Sequence, residues 1–595
     1  MVRATFGGFT TAFSALQANQ KRLDIVGQNL ANMNTPGYTR QQLQTSSVNY
    51  SNPISHYMSN PDISIGFGVS MDNVAQIRDP YLDIQYRSQM EKSGYTNAMQ
   101  ESLDRLADVL DESHISNIHQ AFLDIRSSLQ NMHDAPHADS PIYEAELRTR
   151  IQTLTNLLND GARQIEESKM TEYSKLDGTN TNRQGAVEQV NDILRQIGTL
   201  NRQIKNNQIH GQPSLELMDE RNVLIDELSS FLPIDVTYFK DKDHDGVDDN
   251  GNPVLQEEYH LDNAGNPIAR KEWPDDLRIT MSYKDANGVT QQLILVEGTV
   301  GRGDDNYGKL EITNKDAIWA DKEKDPVDKT TTPGDLNLTV SGIKDKQTVG
   351  KESVDFKKLD ANDPDSGNQF ESGSIQSSLD MLWKDGVTKG LNDVKGYDFY
   401  MNQLDKLADT FAKVMNTLNG LYEPAGGNYD LLAKKDTSGS FTAYNICVSK
   451  DWLSGTVQVS RTGNNTTDTI LNMLEAMQAT YPYDNFKDKD GNPVTITGSD
   501  GQPVNLDNNT FADFMNHVST ILANDSHSNS ESLKTNVTVL NGIQNSRDSV
   551  SGVSLDEEAS NMMMFMSAYN AASRLMTTLD QALDVLINGT GVVGR

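Results

Sequence analysis

Two apolar stripes, one near each end of the 595-residue chain, constrain its fold more than any other feature. Phe6, Phe9, Phe13, Leu16, Gln20, Leu23, Gly27 and Leu30 recur at spacings of three and four, and so do Met562, Phe565, Tyr569, Ala572, Met576, Leu579, Leu583 and Leu586. That spacing lays a narrow seam along one side of a helix, the pattern of a coiled coil. Segments so far in sequence from any compact core have one economical use, which is to pack on each other and on copies of the same chain. An isolated helix of this length is marginal in water. The pattern therefore predicts arms that become fully ordered only when neighbouring subunits cover them.

The first stripe has a sharp end. Residues 31–41 read ANMNTPGYTRQ, in which Asn32 and Asn34 favour turns, Pro36 fixes φ and Gly37 permits positive φ. The helix is expected to stop near Ala31, and extended polar chain to follow from Thr39 to Asn49. In residues 66–87, Gly66 and Gly68 suit a turn, Val69, Met71 and Val74 alternate as in a strand, and Asp79-Pro80 opens a helix.

These residues resemble known sequences. The turn Asn32–Tyr38 after an amphipathic helix is similar to the N-terminal signature of the bacterial flagellar rod, hook and hook-associated proteins, and residues 551–586 resemble the partner signature of that family. GVSLDEEASN within the latter, PSLELMDERNVLIDELSSFL at 213–232 and ESGSIQSSLDML at 371–382 look like the hook-associated member that sits first on the hook rather than like the hook protein. The resemblance implies a structural axial protein, exported unfolded by the flagellar type III route and placed extracellularly at the distal end of the hook. It implies as partners copies of itself in a ring-like layer, the hook protein, a second hook-associated junction protein and an export chaperone at the C-terminal region. The assembly interface is expected on Phe6, Phe9, Phe13, Leu16, Leu23, Leu30, Asn32, Asn34, Pro36, Gly37 and Tyr38, and on Met562, Phe565, Tyr569, Met576, Leu579, Leu583 and Leu586.

The pattern between the stripes predicts an elongated α+β multidomain protein with terminal α-helical coiled-coil arms, a long helical-bundle domain and β-rich inserted outer domains. Residues 1–40 plus 553–595 form the terminal helices. Residues 41–233, 371–420 and 511–552 form the helical domain, read from stripes such as Leu147, Ile151, Leu154 and Leu158, and Tyr400, Leu404, Leu407 and Phe411. Residues 234–370, with turn sequences such as Asn287-Gly288, form a β-rich insert, and 421–510 a second mixed or β insert whose DGNPV and DGQPV read as hairpin turns.

Charge is placed unevenly. The chain carries -33 overall; residues 1–95 hold seven Lys/Arg against six Asp/Glu, residues 541–595 three against six, and the middle therefore carries -31. Near-neutral arms crowd together without strong repulsion, whereas the acidic middle stays solvated. Such a chain has no use for nucleic acid, whose backbone it would repel. No run approaches the roughly 18 apolar residues of a transmembrane helix, and no charged segment followed by an apolar block marks a cleaved leader. A single cysteine, Cys447, allows no internal disulfide.

Chemistry-bearing motifs are weak. Asp241, Asp243, Asp245 and Asp249 occupy calcium-loop positions, but Asn252 stands where a bidentate Glu is expected, so a solvated acidic hairpin is the simpler reading. His133 and His137 flank Pro136 and lack further ligands. Gly589, Gly591 and Gly594 match a dinucleotide fingerprint without its strand and helix. No nucleophile–base constellation is in view. The expectation is no enzyme activity, no metal and no cofactor. The rival readings are a hook or distal-rod protein of the same family and, in a different class, a secreted calcium-dependent adhesin.

Overall fold

The computed structural model describes residues 7–48, 68–134, 140–179, 184–209, 212–240, 275–297, 307–315, 336–343, 351–359, 367–386, 394–424, 427–435, 439–463 and 465–589. The acidic loop at 241–250, Phe6 and the ends of the other two motifs, His137 and Gly591, lie outside them.

Helix α1 (Gly7–Ala31) ends where the turn residues require, and the extended chain that follows is strand β1 (Gln41–Ser47), paired antiparallel with β2 (Val69–Gln76). Ala18, Ile25 and Leu43, with Val69 and Val74 against them, form a small separate core between α1 and this hairpin.

Helix α2 (Pro80–Val109) starts at its proline, with Asp79 accepting from the Tyr81 N–H as N-cap. Helices α3 (Glu112–His133), α4 (Pro141–Asp177), α5 (Ala186–Ile209) and α6 (Leu215–Phe231) follow. The chain returns to this body as α7 (Ser374–Trp383) and α8 (Tyr397–Gly420). The apolar stripes of α3, α4 and α8 are fully buried, for example Phe122, Leu154 and Phe411. Phe122 stacks on Phe511 and meets Phe411 edge-on, both at 5.6 Å between ring centroids.

Between α6 and α7 lies an antiparallel sheet of order β3-β4-β5-β7-β6, with β8 on β7 and β9 on β4. Its strands are β3 (Ile234–Lys240), β4 (Asp275–Lys284), β5 (Thr290–Glu297), β6 (Lys309–Ile312), β7 (Leu338–Ile343), β8 (Lys351–Phe356) and β9 (Gln369–Phe370). The β4–β5 turn falls at Asn287-Gly288, where Gly288 has φ +77. The sheet is fastened to α5 by polar pairs: Lys205 Nζ lies 2.6 Å from Asp276 Oδ2, both fully buried, and Asn191 exchanges two hydrogen bonds with the Leu310 backbone.

Residues 427–510 lie in the stretch read as a mixed or β insert. They hold two three-residue strands, β10 (Leu432–Lys434) and β11 (Ile446–Val448), and the short helices α9 (Lys450–Ser454) and α10 (Asp468–Ala476). Their apolar side chains, among them Trp452, Tyr481 and Leu506, join the same continuous core as the helical body. Trp452 Nε1 donates to Glu144 of α4 at 3.0 Å. The hairpin turns read from DGNPV and DGQPV form, with Gly491 at φ +81 and Gly501 at φ +76, and isolated bridges rather than ladders close them.

Helix α11 (Phe511–Ser551) buries Phe511, Phe514, Met515, Val518 and Leu522 in its first turns only. Beyond them it runs along α2 on amide contacts. Gln89 Nε2 donates to Asn536 Oδ1 at 3.0 Å, and Asn529 Nδ2 donates to Gln100 Oε1 at 2.9 Å. Helix α12 (Leu555–Asp584) then turns back onto α1.

Candidate functional site

The site is the α1–α12 pair and the joint from which it springs. Three contacts fix the pairing as antiparallel. A Cβ on Gly8 would stand 3.2 Å from Leu579 Cδ1, the Arg22 guanidinium lies 5.5 Å from the centre of the Phe565 ring, and Arg40 pairs with Glu557. On α12 the half-buried side is the apolar stripe of the sequence: Met562, Phe565, Tyr569, Met576, Leu579 and Leu583, with Ala572 buried. Leu586, beyond the helix, is exposed.

Helix α1 departs from its stripe. Phe9, Leu16, Leu23 and Leu30 are half-buried, Gln20 and Gly27 are exposed, and Phe13 is 54 % exposed. The buried side carries Ala12, Ala18, Asn19, Ile25, Val26 and Asn29, where the helix meets the β1–β2 hairpin and α12. Small and amide side chains permit that close approach: Asn19 Nδ2 bonds back to the Ala15 carbonyl, and Ser14 Oγ accepts from the Val69 N–H. An apolar template passes over such residues, although Ala12 and Ala18 between long side chains are a visible sign of close packing.

The turn after α1 is closed by its own side chains. Asn32 Nδ2 bonds to the Gln28 carbonyl, and Thr35 donates from its N–H to the Asn32 carbonyl and from its hydroxyl to Asn32 Oδ1. Asn34 and Pro36 are exposed. Gly37 has φ +77, and a Cβ there would stand 2.2 Å from Val223 Cγ2, so both backbone and space demand glycine. Buried Asn29 accepts from the Tyr38 hydroxyl at 2.9 Å and the Gln41 N–H at 3.0 Å, and donates to the Gln41 carbonyl at 3.1 Å. Burial, then Glu216, Asp219 and Glu558, push the Tyr38 hydroxyl well above the usual phenol range, so it stays a donor.

This turn is seated on α6. Thr39 gives its N–H and its hydroxyl to the two oxygens of Asp219, at 3.1 and 2.7 Å, and Gln41 reaches Glu216 at 3.3 Å. Burial raises the Asp219 carboxyl, against the lowering pull of the Thr39 donors. Next to it, Arg547 of α11 bridges Asp83 of α2 at 2.9 Å and Asp226 of α6 at 2.6 Å, over the Tyr86 ring. Arg87 takes the other oxygen of Asp226 at 2.8 Å, and Arg78 the other oxygen of Asp83 at 2.9 Å. The Arg40 N–H donates to the Ser551 carbonyl at 2.9 Å. The sequence pattern marked the Asn32–Tyr38 turn and the stretch 213–232 separately. It missed Asp83, Asp226 and Arg547, whose meeting only the fold reveals.

Such an arrangement holds and orients. Among the described residues, no group of three or more His, Cys, Asp or Glu side chains is placed to hold a metal, and no helix is long and apolar enough to cross a membrane. What it offers is apolar surface on paired helices: Met563, Met564, Met566, Leu575, Val585, Leu586 and Ile587 are all exposed around α12 and its end, opposite or beside the seam.

Comparison with known proteins gives the pair its context. Residues 103–303 match the family of the flagellar hook-associated protein FlgK helical domain, residues 9–39 the flagella basal body rod protein family, and residues 544–589 the flagellar basal body rod FlgEFG protein C-terminal family. Flagellar hook-associated protein 1 of Bacillus subtilis (strain 168) is 27% identical over the full length of both chains. That of Escherichia coli (strain K12) is 23% identical over 97% of this chain and 98% of its own. A solved flagellar hook junction protein FlgK from Burkholderia pseudomallei aligns with a TM-score of 0.36 at 17% identity, over 60% of this chain and 47% of that one. With the rod-type segments falling on α1 and α12 and the helical-domain match between them, the chain is a structural axial component of the bacterial flagellum, similar along its whole length to flagellar hook-associated protein 1.

Proposed function

We propose that this protein forms the junction layer between hook and filament. Copies pack side by side through the α1–α12 pairs, which line the inner tube as coiled-coil arms, while the sheet and the 427–510 region project outward. The observation that carries this reading is an antiparallel helix pair that covers one stripe of α12 and leaves Phe13, Met563, Met566 and Val585 open to solvent. Exposed apolar rows of this kind are rare on a monomer without a partner. The turn Asn32–Tyr38, locked to α6 through Thr39 and Asp219, sets the angle at which the body leaves the pair. One face meets the hook protein and the other a second junction protein, after unfolded type III export with a chaperone on the C-terminal region.

The rod-type matches at 9–39 and 544–589 favour one rival, a hook or distal-rod protein of the same family. Electron microscopy of isolated hooks incubated with gold-labelled protein separates the two. A layer confined to the distal tip that stops growing is expected. Growth into a continuing tube would move the assignment to the hook protein, and no binding at an axial end would sink both.

A further inference from the structure

Between α1, β1 and the start of α12 lies a cleft of about 540 Å³, lined by Arg22, Asn29, Gln41, Leu43, Glu558 and Phe565 among others. Glu558 is only 2% exposed, yet its Oε2 has no hydrogen-bond partner. The nearby cation does not serve it: Arg40 gives Nη1 to Glu557, a largely exposed carboxylate, and its own buried Nε is likewise unsatisfied. The position of Glu558 in the first turn of α12 offsets part of the cost through the helix dipole. A buried carboxylate oxygen without a hydrogen-bonded partner is nevertheless expensive.

The two arginines of the same molecule that line the cleft, Arg22 and Arg40, are engaged elsewhere. The described parts of α1 and α12 hold three cations, Lys21, Arg22 and Arg574. Arg22 is engaged with Thr45 and Phe565. Arg574 is exposed and lies sixteen residues along α12 from Glu558, about 24 Å at 1.5 Å per residue, which no arginine spans. Met563, Arg574 and Val585 recur every eleven residues, about three turns, and so form one row on the side of α12 turned away from α1. Met563 and Val585 are 67% and 65% exposed. A cation flanked by apolar side chains fits a cleft that sets Ile25, Val26, Leu43 and Phe565 beside polar groups and one unpaired carboxylate oxygen.

We propose that the Glu558 cleft is a socket for Arg574 of a second copy, seated by the Met563–Val585 row; the proposal rests on the layer reading above and names its subunit contact. The pairing converts a penalty in the isolated subunit into attachment energy in the layer.

The test compares the full-length wild type with Glu558→Gln, Arg574→Glu, Glu558→Lys and the double charge swap, in thermal melts and in gold-labelled layering on isolated hooks. Glu558→Gln is expected to raise the monomer Tm by a few degrees, because a buried charge is removed, while lowering tip occupancy about tenfold or more. Arg574→Glu leaves Tm unchanged and lowers occupancy equally, and the double swap recovers most of it. Should Glu558→Lys melt early, Glu558→Gln and Arg574→Glu, which change little buried volume, still distinguish the outcomes. A Glu558→Gln protein that melts lower and layers normally overturns the socket, and so does a recovery given by Lys21→Glu in place of Arg574→Glu. If the wild type itself adds no layer, the junction reading falls. If the wild type and Glu558→Gln layer alike, only the socket does.

Discussion

Arg547 and Asp226 meet at 2.6 Å, and around that pair three separate passages of the chain are brought to one point. Asp226 belongs to α6, Arg547 to α11, and Asp83 of α2 takes the second face of the guanidinium. All three side chains are largely buried, so the pair is not a screened surface contact. Arg547→Ala should destabilise the protein by about 1–3 kcal/mol, since it removes one of the two arginines that serve each carboxylate and leaves Asp226 to Arg87 and Asp83 to Arg78. Arg547→Lys should recover only part, because an ammonium lacks the fork that reaches both. Chemical denaturation of the two variants measures this, and an Arg547→Ala curve superimposable on the wild type would refute it.

Gly37 faces Val223 across the joint, and two separate costs attend its replacement. Gly37→Ala should cost about 1–3 kcal/mol from the left-handed backbone alone, with the approach to Val223 added. Val223→Ala in the same chain should return the steric part and leave the backbone part. A double-mutant cycle separates them, and full additivity would show that the two residues do not meet.

Glu91 of α2 supplies a pH signature. Burial, then the neighbouring Glu371 and more weakly Asp235, raise its carboxyl to about 7, against Lys92 and a Ser372 hydrogen bond that lower it. A raised acid binds its proton more tightly in the folded state. Its contribution is present below the ordinary carboxylate pKa and is lost as pH climbs from there to about 7. The wild-type Tm should therefore fall across that window relative to Glu91→Gln, and Glu91→Gln should melt higher at pH 7.5. Parallel Tm–pH profiles for the two proteins would remove the assignment.

Local stability should differ sharply between the pair and the body. Helix α12 buries only Glu558 and Ala572, whereas α8 buries thirteen residues, so opening of the pair costs far less than opening of the core. Limited trypsin digestion should cut first after Lys21, Arg22 or Arg574 and leave a resistant body. Arms as resistant as the body would show that they need no neighbours.

Much of this was legible in the sequence where local chemistry dictates local structure. Ala31 ends α1 because Asn32, Pro36 and Gly37 follow, Pro80 starts α2, and the stripe from Met562 to Leu583 does face another helix. Legibility failed where polar or small residues make the packing. Ala18 and Asn19 mark the buried side of α1, and Gln89, Gln100, Asn529 and Asn536 fasten α11 to α2 with no apolar period to announce it. The Thr39–Asp219 contact joins residues far apart in the chain, which no spacing rule within either motif reports.

The Arg40–Glu557 pair spans 517 positions of sequence. Closing a loop of that size from an unfolded chain is entropically unfavourable and slow. Once α2 and α11 lie together, however, Arg40 and Ser551 are already neighbours, and only a short stretch is left to close. The order of events follows: the body must fold first, and α1 and α12 come together last, on a foundation that Arg547, Asp83 and Asp226 have already laid.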